Sequence, residues 1–274
     1  MANSAKTFSD SNIAVIGAGV MGEALISALI AYGIAPSKIT ISEKREERAA
    51  ELIARYKVAN AALSENVANC DLILLVVKPQ DMALVLADIK ETIRHGVLII
   101  SFVAGKQIRG IADAIGTSAN PVIRVMPNTP TLVGAGMSAI SCCGLVSPEQ
   151  RDFTLGFLGA VGKVIEVDED LQDAVTATSG SGPAYFFRFV EAMVDGAVAL
   201  GLSKEDATTL TIQTIVGAAK LLDQSGDSPT TLREKVTSPN GTTFAALTSF
   251  NESDISATVA KAMKAARDRS QELA

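Results

Sequence analysis

Short apolar segments alternate with helical periodicity along the first part of the chain. Five apolar segments are predicted strands, at residues 12–16, 38–42, 72–77, 97–102 and 122–126. Four intervening segments carry apolar residues at helical spacing, at residues 20–31, 45–56, 81–93 and 107–115. The third strand has no polar alternation, which is typical of a strand buried on both faces of a parallel sheet. This alternation predicts a doubly wound α/β fold.

The pattern changes in the second half of the chain. Two further strand signals, at residues 137–140 and 164–167, flank a helix that opens at Ser147. Its Ser-Pro-Glu-Gln start predicts a capping box with proline at the first helical position. After Asp168 the strand signals stop and alanine-rich helices follow, with predicted breaks at residues 180–182, 226–229 and 239–241.

We therefore predict two domains, an α/β domain over residues 1–168 and an all-α domain over residues 169–274. The helical domain has more apolar stripes than one small domain can bury by itself. Such stripes favour association of identical copies, so the sequence predicts a homodimer formed through the C-terminal helices.

Composition excludes several classes of protein. Hydrophobic residues make up 48% of the chain and charged residues 20%, which excludes a disordered chain. The net charge of -6 argues against nucleic acid as a partner, because phosphate neutralisation needs clustered Lys and Arg. Cys70, Cys142 and Cys143 have the spacing of neither a disulfide framework nor a metal site. With no signal-like start and no apolar run near 18 residues, we predict a cytoplasmic protein without a membrane partner.

Candidate cofactor chemistry begins at a glycine-rich turn between the first strand and the first helix. The G-x-G-x-x-G motif consists of Gly17, Ala18, Gly19, Val20, Met21 and Gly22. Its first glycine allows a tight turn, the second lets a pyrophosphate approach the backbone, and the third permits close helix–sheet packing. The following helix N-terminus adds N–H donors and positive potential. The motif predicts a Rossmann-type dinucleotide site, against the alternative of a glycine turn without a ligand.

The end of the second strand bears on which dinucleotide binds. Glu43 stands about 20 residues beyond the motif, where an acid holds the adenosine ribose of NADH. Ser42, Lys44 and Arg45 beside it instead favour the 2'-phosphate of NADPH, because a hydroxyl and cationic donors match phosphate. We predict NADPH and leave NADH open, and a solvated helix start is the alternative for each residue.

Two further loops follow predicted strands. Val77, Lys78 and Pro79 come directly after the buried third strand, at the carboxyl edge where ligands bind in open α/β folds. The Met-Pro-Asn-Thr-Pro segment at residues 126–130 ends a later strand, and Asn128 offers both a donor and an acceptor to a nicotinamide carboxamide. A solvent-facing lysine and a turn-forming asparagine are the alternatives.

Segments of the C-terminal half complete a pattern. They are Thr-Ser-Gly-Ser-Gly-Pro-Ala-Tyr at residues 178–185, the acidic pair Glu191 and Asp195, and Thr-Ser-Pro-Asn-Gly-Thr-Thr at residues 237–243. Together with the glycine motif and the two loops above, in order and spacing, they resemble pyrroline-5-carboxylate reductases over nearly the whole chain. The resemblance implies NAD(P)H-dependent reduction of 1-pyrroline-5-carboxylate to L-proline, the last step of proline biosynthesis. It also implies helical domains that intertwine as a dimer, often within larger rings.

The resemblance assigns substrate-side residues as well. The Ser-Gly-Ser-Gly-Pro-Ala loop of the family falls on Ser179, Gly180, Ser181, Gly182, Pro183 and Ala184. A glycine-rich turn feeding a helix near Pro183 would leave N–H groups for the substrate carboxylate. The Ser-Pro-Gly-Gly-Thr-Thr motif falls on residues 238–243, which makes substrate-binding candidates of Asn240, Gly241, Thr242 and Thr243. Asn240 replaces the first glycine, and asparagine also tolerates positive φ, so the turn is expected to survive.

The reduction of the imine requires little acid catalysis from the protein. A protonated cyclic imine is already an electrophile, and its reduction yields a neutral amine. We expect Thr242 or Thr243 to hydrogen-bond the ring nitrogen, as the catalytic contribution of the chain. His95 is the single histidine and is predicted to be a surface residue. Glu191 and Asp195 either lie near the active site or form a solvated acidic face, and we prefer the second interpretation.

Two other functions compete with this one. A β-hydroxyacid dehydrogenase needs a lysine on the helix after its glycine-rich substrate loop, whereas residues 183–200 contain Arg188 and no lysine. A non-catalytic dinucleotide-sensing protein would have no use for the substrate-side loops. Oxidation of NADPH on addition of pyrroline-5-carboxylate discriminates among the three functions.

Overall fold

The computed structural model describes residues 8–116 and 119–273 of the chain. Two compact units form: the first comprises Met1–Ser181 and Ala266–Ala274, and the second comprises Gly182–Ala265. The first unit continues past Asp168, where the hydrophobic pattern changes, because the segment that follows packs on the sheet. Gln172 is fully buried there, and its Nε2 donates to the Ala139 carbonyl oxygen over 3.3 Å. A boundary between functional domains at Asp168 stays a prediction.

A mixed, mainly parallel sheet forms the centre of the first unit. Its strands, among the described residues, are β1 Ile13–Ile16, β2 Ile39–Ser42, β3 Ala59–Asn60, β4 Leu72–Leu75, β5 Leu98–Ser101, β6 Val122–Met126, β7 Gly136–Cys142 and β8 Gly162–Glu166. They lie in the order β3-β2-β1-β4-β5-β6-β7-β8, and only the β6–β7 pair is antiparallel. The first six follow the order of a doubly wound dinucleotide-binding sheet, which confirms the predicted fold class. The order reverses direction between β1 and β4, so a crevice opens at the carboxyl ends of these two strands.

Helices cover both faces of this sheet. They are α1 Val20–Tyr32, α2 Glu46–Tyr56, α3 Leu63–Ala68, α4 Met82–Ile89, α5 Ile108–Ile115, α6 Pro148–Gly159 and α7 Gln172–Val175. Side chains of β1 alternate between two apolar clusters: Ile13 and Val15 pack with α1, α2 and α6, whereas Ala14 and Ile16 pack with α3, α4 and α5. The predicted capping box at Ser147 is present.

Some element bounds differ from the prediction. The strand predicted over residues 72–77 ends at Leu75, because Lys78 begins a 3-10 turn with Pro79 in its first position. The helix predicted over residues 81–93 ends at Ile89, whose carbonyl oxygen accepts from the Thr92 hydroxyl over 3.1 Å. β3 and α3 were not predicted, because they are too short to show a hydrophobic period.

The second unit is helical. Its helices are α8 Gly182–Ala199, α9 Lys204–Gln224, α10 Pro229–Lys235, α11 Thr242–Glu252 and α12 Ile255–Glu272, the last of which ends in the first unit. Ser203 and Ser228 cap α9 and α10 through their hydroxyl oxygens. The breaks predicted at residues 226–229 and 239–241 are present. Across the described ranges, no helix combines the length and the apolarity that crossing a bilayer requires.

The break predicted at residues 180–182 takes a different form. The chain makes a π-helical turn over Thr176–Gly180, and the Ser181 N–H donates to the Thr176 carbonyl oxygen over 2.8 Å. Ser181 keeps right-handed helical torsion angles, and α8 begins at the next residue. The expected open glycine turn is therefore a wide helical turn, which uses one of the N–H groups that the open turn would have left free.

Candidate dinucleotide and substrate site

The glycine turn has the geometry that each of its glycines was expected to provide. Gly17 has φ 90°, and a Cβ there would lie 2.9 Å from the Val76 carbonyl oxygen. A Cβ on Gly22 would lie 2.3 Å from the Gly17 carbonyl oxygen. A Cβ on Gly19, by contrast, would meet no atom within 4 Å. Gly17 and Gly22 are therefore required by the fold itself, whereas the absent side chain of Gly19 leaves open space beside the turn.

Side chains from the end of β2 and from α2 bond the backbone of the turn. The Ala18 N–H donates to Glu43 Oε2 over 3.2 Å, and Arg48 Nε donates to the Ala18 carbonyl oxygen over 3.1 Å. A second nitrogen of Arg48 reaches the Gly19 carbonyl oxygen at 3.4 Å and also bonds Glu23. The sequence analysis missed Arg48, because it lies in a charged helix where nothing distinguishes it from its neighbours.

A cleft of about 780 Å³ lies beside this turn, within the first unit. Residues that the sequence analysis assigned to the cofactor line it: Gly17, Gly19, Ser42, Glu43, Lys44, Arg45, Val77 and Lys78. Asn60, at the end of β3, lines it as well and was not foreseen. Ala18 is fully buried, and Val20 is an exposed residue at the start of α1. The structure thus brings together segments that lie far apart in the sequence.

The residues at the end of β2 differ in how far their side chains are already hydrogen-bonded and in how exposed they are. The Ser42 hydroxyl donates to the Ala61 carbonyl oxygen over 3.2 Å and accepts from Asn66 Nδ2 over 2.9 Å. Glu43 has only 8% of its side chain exposed, whereas Arg45 has 64%. Hydrogen bonds from Arg45 hold the pKa of the Glu43 carboxyl below its usual value, against the effect of burial. Lys44 and Arg45 are therefore the exposed cations at this end of the cleft.

These features fit a dinucleotide. The space beside Gly19 and the N-terminus of α1, which has no side-chain cap, match a pyrophosphate that approaches backbone N–H groups. The cleft at the carboxyl ends of β1 and β4 lies where open α/β sheets bind such ligands. Among the described residues, no group of three or more His, Cys, Asp or Glu side chains is arranged to hold a metal ion.

The loop after β6 is joined to the glycine-rich segment before α8. Asn128 Nδ2 donates to the Ser179 carbonyl oxygen over 3.1 Å, and its Oδ1 accepts from the Met137 N–H over 2.8 Å. A Cβ on Gly180 would lie 2.4 Å from Met126 Cε. Two motifs that are separate in the sequence therefore meet within the first unit. The Asn128 amide already binds protein at both ends, and its backbone carbonyl oxygen accepts from the Thr131 hydroxyl over 2.8 Å, so the second N–H of its amide is the group left for the predicted cofactor contact.

The second substrate-side motif lies in the second unit and begins a helix. Asn240 has φ 56°, so the left-handed conformation expected for this position is confirmed. Gly241 is the N-cap of α11, and a Cβ there would lie 2.4 Å from Ser238 Oγ. No side chain caps α11, whose first residues are Thr242 and Thr243. The first N–H groups of the helix are thus presented beside two threonine hydroxyls, an arrangement that suits a carboxylate.

Three further residues singled out in the sequence, Glu191, Asp195 and His95, lie on the surface of the described chain. Glu191 is exposed and pairs with Arg188 over 3.1 Å, and Asp195 is exposed and pairs with Lys204 over 3.3 Å. This arrangement is that of a solvated charged face. His95 is an exposed residue before β5, at the edge of the parallel sheet opposite the glycine turn. Gly182 and Pro183 begin α8.

Comparison with known proteins gives consistent matches. The family model of the pyrroline-5-carboxylate reductase dimerisation domain matches residues 169–273. The model described as NADP oxidoreductase, coenzyme F420-dependent, matches residues 12–105. A pyrroline-5-carboxylate reductase of Corynebacterium melassecola is 41% identical over 265 residues, which cover 95% of this chain and 98% of that protein.

Solved structures are similar over the same extent. The pyrroline-5-carboxylate reductase of Coxiella burnetii superposes with a TM-score of 0.89 at 34% identity, and the match covers 96% of this chain and 98% of that one. The Plasmodium falciparum pyrroline carboxylate reductase, crystallised with NADP bound, has a TM-score of 0.86 at 28% identity over 97% and 98% of the two chains. The likeness therefore extends over nearly the whole length of each protein.

Proposed function

The chain belongs to the pyrroline-5-carboxylate reductase family, and on this premise we propose that it reduces 1-pyrroline-5-carboxylate to L-proline with NADPH as the preferred hydride donor. The observation that carries the proposal is the cleft beside Gly19, which the cationic residues Lys44 and Arg45 also line. The P. falciparum relative that binds NADP supports the same choice of cofactor. NADH remains the second donor to be tested.

The cofactor-binding residues position the hydride donor. NADPH supplies the hydride that reduces the imine carbon. The glycine turn and the N-terminus of α1 receive the pyrophosphate, and the exposed cations after β2 receive the 2'-phosphate. Val77 and Lys78 follow β4 and line the same cleft, and Pro79 begins the 3-10 turn directly after them. In this proposal the chain contributes mainly orientation, because the protonated imine is already electrophilic.

The substrate-binding residues hold a small ring that carries a carboxylate. The first N–H groups of α11 donate to the carboxylate, with Asn240 and Gly241 shaping the turn before them. A hydroxyl of Thr242 or Thr243 hydrogen-bonds the ring nitrogen, which fixes the orientation of the imine. The segment of Ser179, Gly180, Ser181, Gly182 and Pro183 is the other motif that we assign to substrate binding. Its backbone is stiffened by the bond from Asn128 to the Ser179 carbonyl oxygen.

The second unit supports a homodimer. Of its residues, all of which the structure describes, only Gly182, Val194, Ala207 and Thr211 are buried. Large apolar side chains are exposed instead, including Phe186 (63%), Phe187 (64%) and Leu200 (89%). Helices with so much exposed apolar surface require a partner to cover it. Size-exclusion chromatography with light scattering is expected to give the mass of a dimer or of a multiple of it, and a monomer mass at micromolar concentration would contradict this assignment.

The reaction is tested by following NADPH and NADH oxidation on addition of pyrroline-5-carboxylate. We expect proline as the product and a higher kcat/KM with NADPH. Absence of pyrroline-5-carboxylate reduction with either donor would contradict the proposed function. So would oxidation of a hydroxy acid by the oxidised cofactor at an equal rate. The predicted cytoplasmic location is a separate question, and cell fractionation answers it.

The threonines are tested in the same assay. Thr242→Ala and Thr243→Ala are expected to lower kcat/KM, and the more important hydroxyl by at least about tenfold, the effect of losing one hydrogen bond of about 1.4 kcal/mol. The corresponding serine variants are expected to restore activity. Thr248→Ala, later in the same helix, is the matched control, because its hydroxyl only bonds the Phe244 carbonyl oxygen. If both alanine variants keep the turnover of the unmodified protein, the role assigned to the threonines is wrong.

A further inference from the structure

The carboxylate of Glu43 is bound on both oxygens by its own chain. Oε1 accepts from the Arg45 backbone N–H and from Arg45 Nε, each over 3.0 Å. Oε2 accepts from the Ala18 N–H and from Arg45 Nη2, each over 3.2 Å. A carboxylate offers about four lone-pair sites, so these four bonds fill its capacity. The acid at the ribose position of this fold is therefore already occupied.

This occupancy changes what the acid can do for a cofactor. An acid at the end of β2 holds NADH by accepting hydrogen bonds from the hydroxyls of the adenosine ribose. Glu43 has no acceptor site left for such hydroxyls while Arg45 remains in place. Its negative charge, which would repel a 2'-phosphate, is also neutralised by the guanidinium that it binds.

Arg45 itself retains donors on the side of the cleft. Only Nε and Nη2 of its guanidinium bond Glu43, and a guanidinium carries five N–H groups in a planar fork. Its side chain is largely exposed, and it lines the cleft together with Lys44. A planar, charged donor edge held in a fixed orientation is the arrangement that binds phosphate well.

The backbone that carries Glu43 and Arg45 is held by hydrogen bonds with neighbouring side chains. The Glu43 N–H donates to Asn60 Oδ1 over 3.3 Å, which ties the end of β2 to the end of β3. Asn66 Nδ2 bonds both the Thr40 carbonyl oxygen and the Ser42 hydroxyl, at 3.0 and 2.9 Å. The backbone around Glu43 is therefore held by neighbours on both sides, and the orientation of Arg45 follows from it.

We propose that Glu43 is a positioning residue rather than a ribose ligand, and that the Glu43–Arg45 pair sets the preference of the enzyme for a 2'-phosphorylated dinucleotide. Arg45 acts in two ways: it supplies donors to the phosphate, and it denies the Glu43 carboxylate to the ribose of NADH. The inference rests on the proposed function only in taking the cleft as the site of the adenosine half of the cofactor. Loss of a cation from a simple basic patch would weaken NADPH binding and leave NADH binding unchanged. In this proposal, removal of Arg45 also strengthens the binding of NADH.

The test compares binding constants measured without turnover. In Arg45→Ala we expect the Kd of NADPH to rise by at least about tenfold, as for the loss of a charge-assisted hydrogen bond. The Kd of NADH is expected to fall by about threefold or more, because the released carboxylate gains one or two ribose hydroxyls. Calorimetry with 2'-AMP and 5'-AMP isolates the adenosine end, and only 2'-AMP is expected to lose affinity. Arg45 is exposed, so the variant keeps the fold, which its Tm verifies.

Two further variants identify the cause. In Glu43→Gln/Arg45→Ala the gain in NADH affinity is expected to disappear, because the charged acceptor is absent. Lys44→Ala is the matched control for the loss of one positive charge: it is expected to weaken NADPH and 2'-AMP without strengthening NADH. If Arg45→Ala leaves the ratio of the NADH and NADPH constants unchanged, or if the NADH gain persists in the double variant, the inference is overturned. Failure of the proposed function would appear separately, as lack of pyrroline-5-carboxylate reduction by the unmodified protein.

Discussion

Arg48 bonds the backbone of Ala18: its Nε donates to the Ala18 carbonyl oxygen over 3.1 Å, from a side chain with only 17% exposure. The N–H of the same alanine donates to Glu43. Ala18 is the second residue of the glycine motif, so both polar groups of its backbone are fixed by side chains, those of Glu43 directly after β2 and of Arg48 in α2. The turn that we propose as the pyrophosphate site is therefore held in shape by side chains of the chain itself.

Removal of Arg48 is expected to loosen this turn. In Arg48→Met the apolar stem remains, but the bonds to Ala18 and Gly19 are lost and the Glu23 carboxylate loses a partner. We expect a loss of about 1–3 kcal/mol in the free energy of unfolding, which lowers Tm by several degrees in a protein of this size. The Kd of NADPH is expected to rise by about tenfold. Thermal unfolding and fluorescence titration measure the two effects.

Arg55 provides the control for this variant. It bonds the same Glu23 carboxylate and also Glu51, but it is 54% exposed and does not contact the glycine turn. Exposed ion pairs contribute about 0–1 kcal/mol. Arg55→Met is therefore expected to leave the Kd of NADPH within about twofold of the original value. Equal effects of the two variants on cofactor binding would contradict the role assigned to Arg48.

Alanine substitutions at two glycines of the motif are expected to affect different properties of the protein. In Gly22→Ala the new Cβ would lie 2.3 Å from the Gly17 carbonyl oxygen, so the backbone must shift and Tm must fall. In Gly19→Ala the Cβ meets nothing within 4 Å, so Tm without ligand is expected to stay within about 1 °C of the original, corresponding to less than about 0.5 kcal/mol. The same methyl group occupies the space proposed for the pyrophosphate, so the Kd of NADPH is expected to rise at least about tenfold. Retained NADPH affinity in Gly19→Ala would place the pyrophosphate elsewhere.

Most of the core strands and the glycine turn could be predicted because each depends on local signals. A buried strand such as β4 needs an uninterrupted apolar run, and a tight turn before a helix needs residues such as Gly17 that accept positive φ. Both requirements can be recognised from a few consecutive residues of the sequence. The same holds for Asn240, whose left-handed conformation followed from its replacement of a glycine.

Contacts between distant segments could not be predicted in this way. Nothing in the sequence around Arg48 distinguishes it from Arg45, yet Arg48 bonds the glycine turn and Arg45 bonds Glu43. Asn128 was predicted to contact the cofactor, but nothing around it in the sequence indicated that its amide also joins two protein segments. Such pairings depend on how strands and helices assemble, and they become visible only when the whole unit is folded.

Acid is expected to weaken the fold through Glu23. Burial alone would raise the pKa of this carboxyl, but hydrogen bonds from Arg48 and Tyr56 outweigh burial and lower the pKa below its usual value of 4.5. The folded chain thus binds this proton less tightly than the unfolded chain. The stability that Glu23 contributes is present above the unfolded pKa and is lost as the pH falls through the lower, folded value.

The measurement is Tm as a function of pH between pH 7 and pH 3. Glu23→Gln is expected to have a lower Tm than the original protein at pH 7 and a smaller decrease on acidification, so the two curves converge at low pH. Glu91→Gln, at an exposed position, controls for the loss of one negative charge and is expected to follow the original curve. Parallel curves for Glu23→Gln and the original protein would show that the ion pairs of Glu23 do not stabilise the fold.

Asn240 gives a test that separates backbone strain from a role in the substrate site. Its φ of 56° costs a β-branched residue about 1–2 kcal/mol, whereas glycine adopts this conformation freely. Asn240→Gly is therefore expected to keep Tm and to keep or lower the KM for pyrroline-5-carboxylate. Asn240→Val is expected to lower Tm and also to raise KM, because the distorted turn displaces the first N–H groups of α11.

Lys57 is the matched position for this comparison. It has φ 61° at the C-terminal end of α2, away from both proposed substrate-side motifs in the sequence. Lys57→Val introduces the same kind of strain, so it is expected to lower Tm by a similar amount while leaving KM unchanged. A rise in KM with Asn240→Val alone assigns the turn to substrate binding. If both valine variants raise KM equally, the effect comes from general loss of stability, and the turn at Asn240 has no specific role in holding the carboxylate.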